Sequence, residues 1–122
     1  MIRVLLVDDD EDLRQSLAEL LMDEGLQVTQ AVDGRDALAR LADIPVDLIL
    51  LDYMMPEMDG LAFRQVQRAN SRLADIPVIL LTAATASSGR DAIVPDRLLE
   101  KPFRFSVLLA SIRELLAERQ GG

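Results

Sequence analysis

The chain has 122 residues, of which half are apolar and 28% are charged, a composition typical of one folded domain. It has no cysteine and no histidine, which excludes disulfides, thiolate or imidazole metal sites, and Ser-His or Cys-His catalysis. A formal charge of −8 disfavours binding to a phosphate backbone, and no apolar run approaches the ~20 residues of a membrane span. We therefore expect a cytoplasmic domain that binds neither nucleic acid nor a membrane.

Short apolar runs alternate with helical patterns along the chain. The runs predict five strands, at Ile2–Val7, Val28–Val32, Leu48–Leu51, Val78–Leu81 and Leu98-Leu99. Helical spacing of apolar residues begins at Leu13, Ala37, Leu61 and Val107, and only a polar stretch separates the fourth and fifth strands. Apolar strands that alternate with amphipathic helices predict an α/β fold, with a parallel sheet covered on both faces.

Polar residues follow four of the five predicted strands. They are Asp8-Asp9-Asp10, Asp52, Thr82 and Lys101. Because the carboxyl ends of parallel strands share one edge of the sheet, we expect these side chains to meet in one crevice. Converging carboxylates repel each other unless a cation lies between them, and oxygen-only ligands suit a hard ion such as Mg²⁺.

The same residues suit a phosphoryl transfer. A carboxylate such as Asp52 beside Mg²⁺ can attack phosphorus and form an aspartyl-phosphate. Lys101 has the reach and charge to hold the phosphoryl oxygens, and the Thr82 hydroxyl can donate a hydrogen bond to one of them. Taken singly, each residue has a structural interpretation, for example Asp10 as a helix N-cap. Their occurrence together at the ends of separate strands favours a functional site.

Five segments of the chain resemble the receiver (CheY-like) domain of bacterial two-component response regulators. They are Val4–Asp10, Asp33-Gly34, Leu50–Gly60, Leu80–Ala83 and Lys101–Phe103. The resemblance covers residues 1–120 and leaves 121–122 as a Gly-Gly tail or the start of a linker. It implies a flavodoxin-like, doubly wound five-stranded sheet in the order 2-1-3-4-5 with about five helices. The polar stretch from Ala83 to Pro95 predicts a fourth helix that is short or irregular.

The resemblance also implies roles for the site residues. Asp52 would accept the phosphoryl group, and Mg²⁺, which Mn²⁺ could replace, would be held by Asp8, Asp9, Asp52 and the Met54 backbone carbonyl. Thr82 would be the switch hydroxyl, and Lys101 would pair with the phosphoryl group across a cis Lys101-Pro102 bond.

The implied function is that of a phosphoacceptor signalling domain and not of an enzyme. A histidine kinase or a histidine phosphotransfer protein would donate the phosphoryl group, which explains why the chain needs no histidine. Phosphorylation would change the conformation and control an output, and it could bring two copies together as a homodimer. The output domain and the cognate kinase are not defined by the sequence.

Two positions depart from the family pattern. Leu98 stands where the family usually has an aromatic residue, three positions before Lys101, so an aromatic side chain cannot couple to Thr82. Arg104 precedes the final helix where the family often has a capping acid, and Ser106 is an alternative N-cap.

Two other functions remain as alternatives. A receiver-like docking module would not react, and a small phosphatase with an aspartate nucleophile would need an Asp-x-Asp followed by Thr or Val, whereas Glu11 follows the three acids here. Acetyl phosphate with Mg²⁺ separates the three functions, because a phosphatase would turn over, a receiver would form a stoichiometric adduct, and a docking module would not react.

Overall fold

The computed structural model describes residues 1–53, 60–83 and 96–121. The strands are β1 (Arg3–Val7), β2 (Gln27–Ala31), β3 (Leu48–Asp52), β4 (Val78–Ala83) and β5 (Arg97–Lys101). The helices in these residues are α1 (Glu11–Asp23), α2 (Gly34–Asp43), α3 (Gly60–Ala69) and α4 (Phe105–Gly121). The short or irregular helix expected before β5, and Asp59 as an N-cap of α3, lie outside the described residues.

The five strands form one parallel sheet in the order β2-β1-β3-β4-β5. The α/β fold predicted from the sequence and the strand order implied by the resemblance are therefore confirmed. Strand β5 is longer than the predicted Leu98-Leu99, because backbone pairing with β4 continues through the polar residues Glu100 and Lys101. Hydrogen bonds of the backbone set a strand's length, whereas an apolar pattern shows only its buried part.

Two apolar clusters cover the two faces of the sheet. On one face, β1, β3 and β4 pack against α1 and α4, with Leu21 and Ile112 fully buried. On the other face they pack against α2 and α3, with Ala37 and Phe63 fully buried. The interior residues of β3 are inaccessible on both faces, as expected for the central strand of a doubly wound sheet. The core is almost entirely aliphatic.

Helix α1 begins and ends with local signals that the sequence carries. Its N-cap is Asp10, whose Oδ1 accepts a hydrogen bond from the Leu13 amide at 3.1 Å. Gly25 follows the helix with φ of 90°, a conformation that a residue without Cβ adopts readily. Leu13 and Leu20 share the helical spacing of the buried leucines of α1, yet both are about half exposed.

Helix α4 begins one residue before Ser106. The Arg104 carbonyl accepts the first hydrogen bonds of the helix, from the Val107 amide at 3.0 Å and the Leu108 amide at 3.2 Å. Ser106 therefore lies in the first turn, and the expectation that it caps the helix is wrong. Within the described residues, no helix combines the length and the apolar character that a membrane crossing requires.

Candidate functional site

The register of the sheet brings two acidic strand ends side by side. Val7 of β1 pairs with Leu51 of β3, so Asp8, directly after β1, lies level with Asp52 at the end of β3. In this strand order, the crevice between β1 and β3 is the point at which the chain connections diverge to opposite faces of the sheet. Ligand sites of open α/β sheets form at such a crevice.

Three carboxylates meet at this crevice. Asp8, Asp9 and Asp52 each offer an oxygen, and these oxygens lie within 4.8 Å of one another. Asp8 and Asp52 are buried, whereas Asp9 is exposed. Because Mg²⁺ binds oxygen at about 2.0–2.1 Å, ligands on opposite sides of one ion are separated by roughly 4 Å. The spacing and the oxygen-only chemistry of the three side chains therefore fit a single Mg²⁺.

Lys101 reaches the same place from β5. Its Nζ donates a hydrogen bond to Asp52 Oδ1 at 3.1 Å, although β4 lies between β5 and β3 in the sheet. The Asp52 side chain is 9% exposed and the Lys101 side chain is 30% exposed. The peptide bond between Lys101 and Pro102 is cis, as the resemblance implied. A cation thus lies where the oxygens of an incoming phosphoryl group would need one.

Burial sets the protonation behaviour of the two inner acids. It raises the pKa of Asp52 to about 6, against the lowering effect of Lys101 and with a smaller raising effect from Asp8. Burial also raises the pKa of Asp8, although a hydrogen bond from the Asp10 backbone amide opposes that change. Both carboxylates are therefore poorly solvated as anions, and a bound cation would stabilise them.

The remaining predicted residues differ in what can be said of them. Thr82 is buried near the end of β4, one residue beyond the partner of Asp52 in the sheet. It therefore lies at the carboxyl edge with Asp52 and Lys101. Met54 falls outside the described residues, as does most of the stretch from Ala83 to Pro95. Leu98 lies on β5 with 37% of its surface exposed, opposite Leu80 of β4.

The sequence reasoning missed one residue that contacts the acidic cluster. Arg14 of α1 is buried, and its Nη1 donates a hydrogen bond to the Asp8 backbone carbonyl at 2.9 Å. Its position is visible in the sequence, because Arg14 shares the helical spacing of Leu17, Ala18 and Leu21 on the buried face. An arginine on an apolar stripe was the signal that could have found it.

An apolar groove of about 370 Å³ adjoins the acidic cluster. It lies between α1 and the segment from β5 to α4, and Asp8 and Lys101 are among the residues that line it. The exposed Leu13 and Leu20 line it, opposite Phe105. The two leucines of α1 that stay outside the core therefore line this groove.

Comparison with known proteins identifies the class of this chain. Residues 4–113 match the family model of the response regulator receiver domain. The match spans most of the chain, and the chain belongs to this family. The family is the one that the motifs resembled.

Individual relatives agree with this assignment. The response regulator MprA of Mycolicibacterium vanbaalenii is 41% identical over 118 residues, which are 94% of this chain and 50% of that protein. The chain thus spans about half the length of the curated relatives that it matches. The chemotaxis protein CheY4 of Vibrio cholerae has a similar structure, with a TM-score of 0.86, 33% identity, and coverage of 94% of this chain and 98% of that one.

A third similar protein was solved as a complex. The response regulator TrrA of Thermotoga maritima, in complex with Mg²⁺-BeF, matches with a TM-score of 0.81 and 32% identity over 94% of this chain and 99% of that one. As a member of the receiver-domain family, this chain is a signalling domain of the response regulator type.

Proposed function

We propose that this domain accepts one phosphoryl group on Asp52 in a Mg²⁺-dependent reaction and thereby changes conformation to control an output. The observation that carries the proposal is the convergence of Asp8, Asp9 and Asp52 with Lys101, whose Nζ lies 3.1 Å from the Asp52 carboxylate. The family assignment supports the same role.

In the proposed reaction, an Asp52 oxygen attacks the phosphorus of the donor. A P–O bond to Asp52 forms, the bond from phosphorus to the donor breaks, and the donor retains that electron pair. Asp52 must be ionised to attack, and with a pKa of about 6 it is mostly ionised at neutral pH. Lys101 then transfers its hydrogen bond to a phosphoryl oxygen, and the Thr82 hydroxyl donates to another.

Asp8, Asp9, Asp52 and the Met54 carbonyl would hold the ion. When bound, Mg²⁺ would neutralise the negative charge that accumulates between the carboxylates and the phosphoryl oxygens. Burial of Asp8 and Asp52 strengthens their attraction for a cation, because few water molecules screen it. Mn²⁺ has similar ligand preferences and could replace Mg²⁺.

The donor would be a histidine kinase or a histidine phosphotransfer protein. It must bring a phosphorylated side chain to within bonding distance of Asp52, so its docking surface has to adjoin the acidic cluster. The groove lined by Leu13 and Leu20 meets this requirement, because Asp8 and Lys101 are also among its lining residues. An apolar helix face would bury the two leucines there.

The test is phosphorylation by acetyl phosphate with Mg²⁺, followed by intact-mass measurement. We expect one adduct of a single phosphoryl group per chain, absent in Asp52→Ala and retained in Asp12→Ala, an exposed acid of α1 outside the cluster. An adduct that persists in Asp52→Ala would refute the assignment of the phosphoacceptor. Continuous release of phosphate would indicate a phosphatase, and the absence of any reaction would indicate a docking module.

A further inference from the structure

A buried arginine lies directly behind the acidic cluster. Arg14 is 7% exposed, and its guanidinium joins the residue that follows β1 to β2, the neighbouring strand in the sheet. Its Nη1 donates to the Asp8 backbone carbonyl at 2.9 Å, and its Nε donates to Gln30 Oε1 of β2 at 3.0 Å. Both contacts use the fixed geometry of the guanidinium plane, which holds its donors in set directions.

The carbonyl that Arg14 holds has a particular place in the backbone. It belongs to the peptide unit that joins Asp8 to Asp9, and that unit is planar. Fixing the carbonyl oxygen therefore fixes the plane from which both side chains project. The Asp8 amide is held as well, because it donates to the Ala31 carbonyl at 3.1 Å.

The carboxylate of Asp8 has a restraint of its own. Its Oδ1 accepts a hydrogen bond from the Asp10 amide at 3.0 Å, and Asp10 in turn caps α1. Arg14 lies in the second turn of that helix, and its own amide donates to the Asp10 carbonyl at 2.9 Å. The helix start and the acidic strand end thus form one closed set of hydrogen bonds.

We propose that Arg14 is a positioning residue for the metal site, which orients the peptide between Asp8 and Asp9 so that both carboxylates face Asp52. This role rests on the proposed Mg²⁺ site. It acts through backbone orientation and not through charge, because a guanidinium near a cation site repels the cation. Gln30 contributes by holding the far side of the guanidinium.

The charge of Arg14 and its hydrogen bond to the Asp8 carbonyl predict opposite changes in Mg²⁺ affinity when Arg14 is replaced by a neutral residue. Arg14→Met removes a positive charge near the site, so electrostatics alone would make Mg²⁺ bind more tightly. Loss of the hydrogen bond to the Asp8 carbonyl would instead let the peptide turn, and Mg²⁺ would bind more weakly. Groups that orient metal ligands typically change metal affinity by about 10–100-fold. The sign of the change therefore separates the two explanations.

The experiment is a titration with Mg²⁺ in which NMR spectra monitor the backbone amide shifts of residues 8–10. We expect the Mg²⁺ dissociation constant to rise about tenfold in Arg14→Met. Arg14→Lys keeps the charge but not the paired donors, so an intermediate value is expected. Gln30→Leu leaves Arg14 in place and should weaken binding in the same direction by a smaller factor.

A matched control separates positioning from general loss of stability. Arg64 of α3 is a second buried arginine, whose Nη1 donates to Gln67 on the other face of the sheet. Arg64→Met should lower the melting temperature without changing the affinity for Mg²⁺. If Arg14→Met and Gln30→Leu bind Mg²⁺ as tightly as the wild type, or more tightly, the positioning role is wrong.

The outcomes also distinguish this inference from the proposed function. If the wild type itself does not bind Mg²⁺, the metal site fails and the role of Arg14 fails with it. If the wild type binds Mg²⁺ and the Arg14 and Gln30 variants bind it equally well, the metal site stands and the positioning role is refuted. If Arg14→Met does not fold, Arg14→Lys and Gln30→Leu decide the question.

Discussion

The two ends of the same sheet each carry an ion pair between an aspartate and a basic residue, but the pairs behave in opposite ways. At the amino end, Asp47 accepts three hydrogen bonds from Arg3, one from the backbone amide and two from the side chain, at 2.8–3.1 Å. These bonds hold the pKa of Asp47 below its usual value. At the carboxyl end, Asp52 pairs with Lys101 at 3.1 Å, yet its pKa is raised to about 6.

The difference comes from solvent and from neighbouring charges. The Asp47 side chain is 32% exposed, and its burial raises its pKa less than the hydrogen bonds from Arg3 lower it. The Asp52 side chain is 9% exposed and lies beside Asp8 and Asp9, and a single hydrogen bond from Lys101 does not offset its burial and the two like charges. The amino-end pair therefore stabilises the fold, whereas burial at the carboxyl end leaves Asp52 poorly solvated as an anion, which a bound cation would stabilise.

The largest effect is expected when a carboxylate is removed from the carboxyl end of the sheet. Asp9→Ala takes away an exposed oxygen of the cluster, and we expect Mg²⁺ affinity to fall by about 100-fold, since even groups behind the ligands contribute 10–100-fold. Phosphorylation by acetyl phosphate should fall with it. Isothermal titration with Mg²⁺ measures the first effect. Asp12→Ala is the control, and wild-type affinity in Asp9→Ala would mean that the ion binds elsewhere.

Neutralising the aspartate of each pair should change stability in opposite directions. Without metal at pH 7.5, Asp52→Asn removes a poorly solvated charge, and the raised pKa corresponds to a gain of about 3 kcal/mol in the free energy of unfolding. Asp47→Asn removes a favourable contact and should lose about 1 kcal/mol. Urea unfolding in the presence of EDTA measures both. A loss of stability in Asp52→Asn would show that Lys101 compensates fully for the burial.

The pH dependence of the two variants sharpens the contrast. Asp52 has a higher pKa in the folded state than in the unfolded state, so the folded state binds more protons and wild-type stability falls as pH rises from about 4 to about 6. The gain in the free energy of unfolding of Asp52→Asn over the wild type should therefore be about half as large at pH 5 as at pH 7.5. Asp47 has a lowered pKa, so its contribution is present at neutral pH and is lost as pH falls below about 4. Parallel pH profiles for the two variants would contradict both assignments.

The smallest effect concerns Lys101 alone. Its charge and hydrogen bond lower the pKa of Asp52, so in Lys101→Met that pKa should rise above the wild-type value of about 6. Titration of the Asp52 carboxyl carbon by NMR in EDTA measures the shift. If the pKa does not change, solvent screens Lys101 and the analogy to Arg3 at the amino end fails. Phosphorylation should also be slower at neutral pH, because less of Asp52 is ionised and the phosphoryl oxygens lose the proposed hydrogen bond from Lys101.

Much of the site was predictable from the sequence because parallel sheets gather their strand ends. Asp8, Asp52 and Lys101 each follow an apolar run, and the general rule for open sheets places them at one edge. Helical spacing by itself did not separate core positions from surface positions in α1. Leu17 and Leu21 are buried, whereas Leu13 and Leu20 of the same apolar pattern are about half exposed and line the groove.

The sequence by itself determined the alternation of strands and helices, the Asp10 cap, the Gly25 turn and the set of charged residues at the strand ends, because each depends on neighbouring positions. Only the tertiary structure decided which charges touch. The pairing of Val7 with Leu51 brings Asp8 beside Asp52, and burial raises the pKa of Asp52 despite Lys101. Contact and desolvation depend on residues more than forty positions apart in the chain, such as Asp52 and Lys101, whose distance no local pattern encodes.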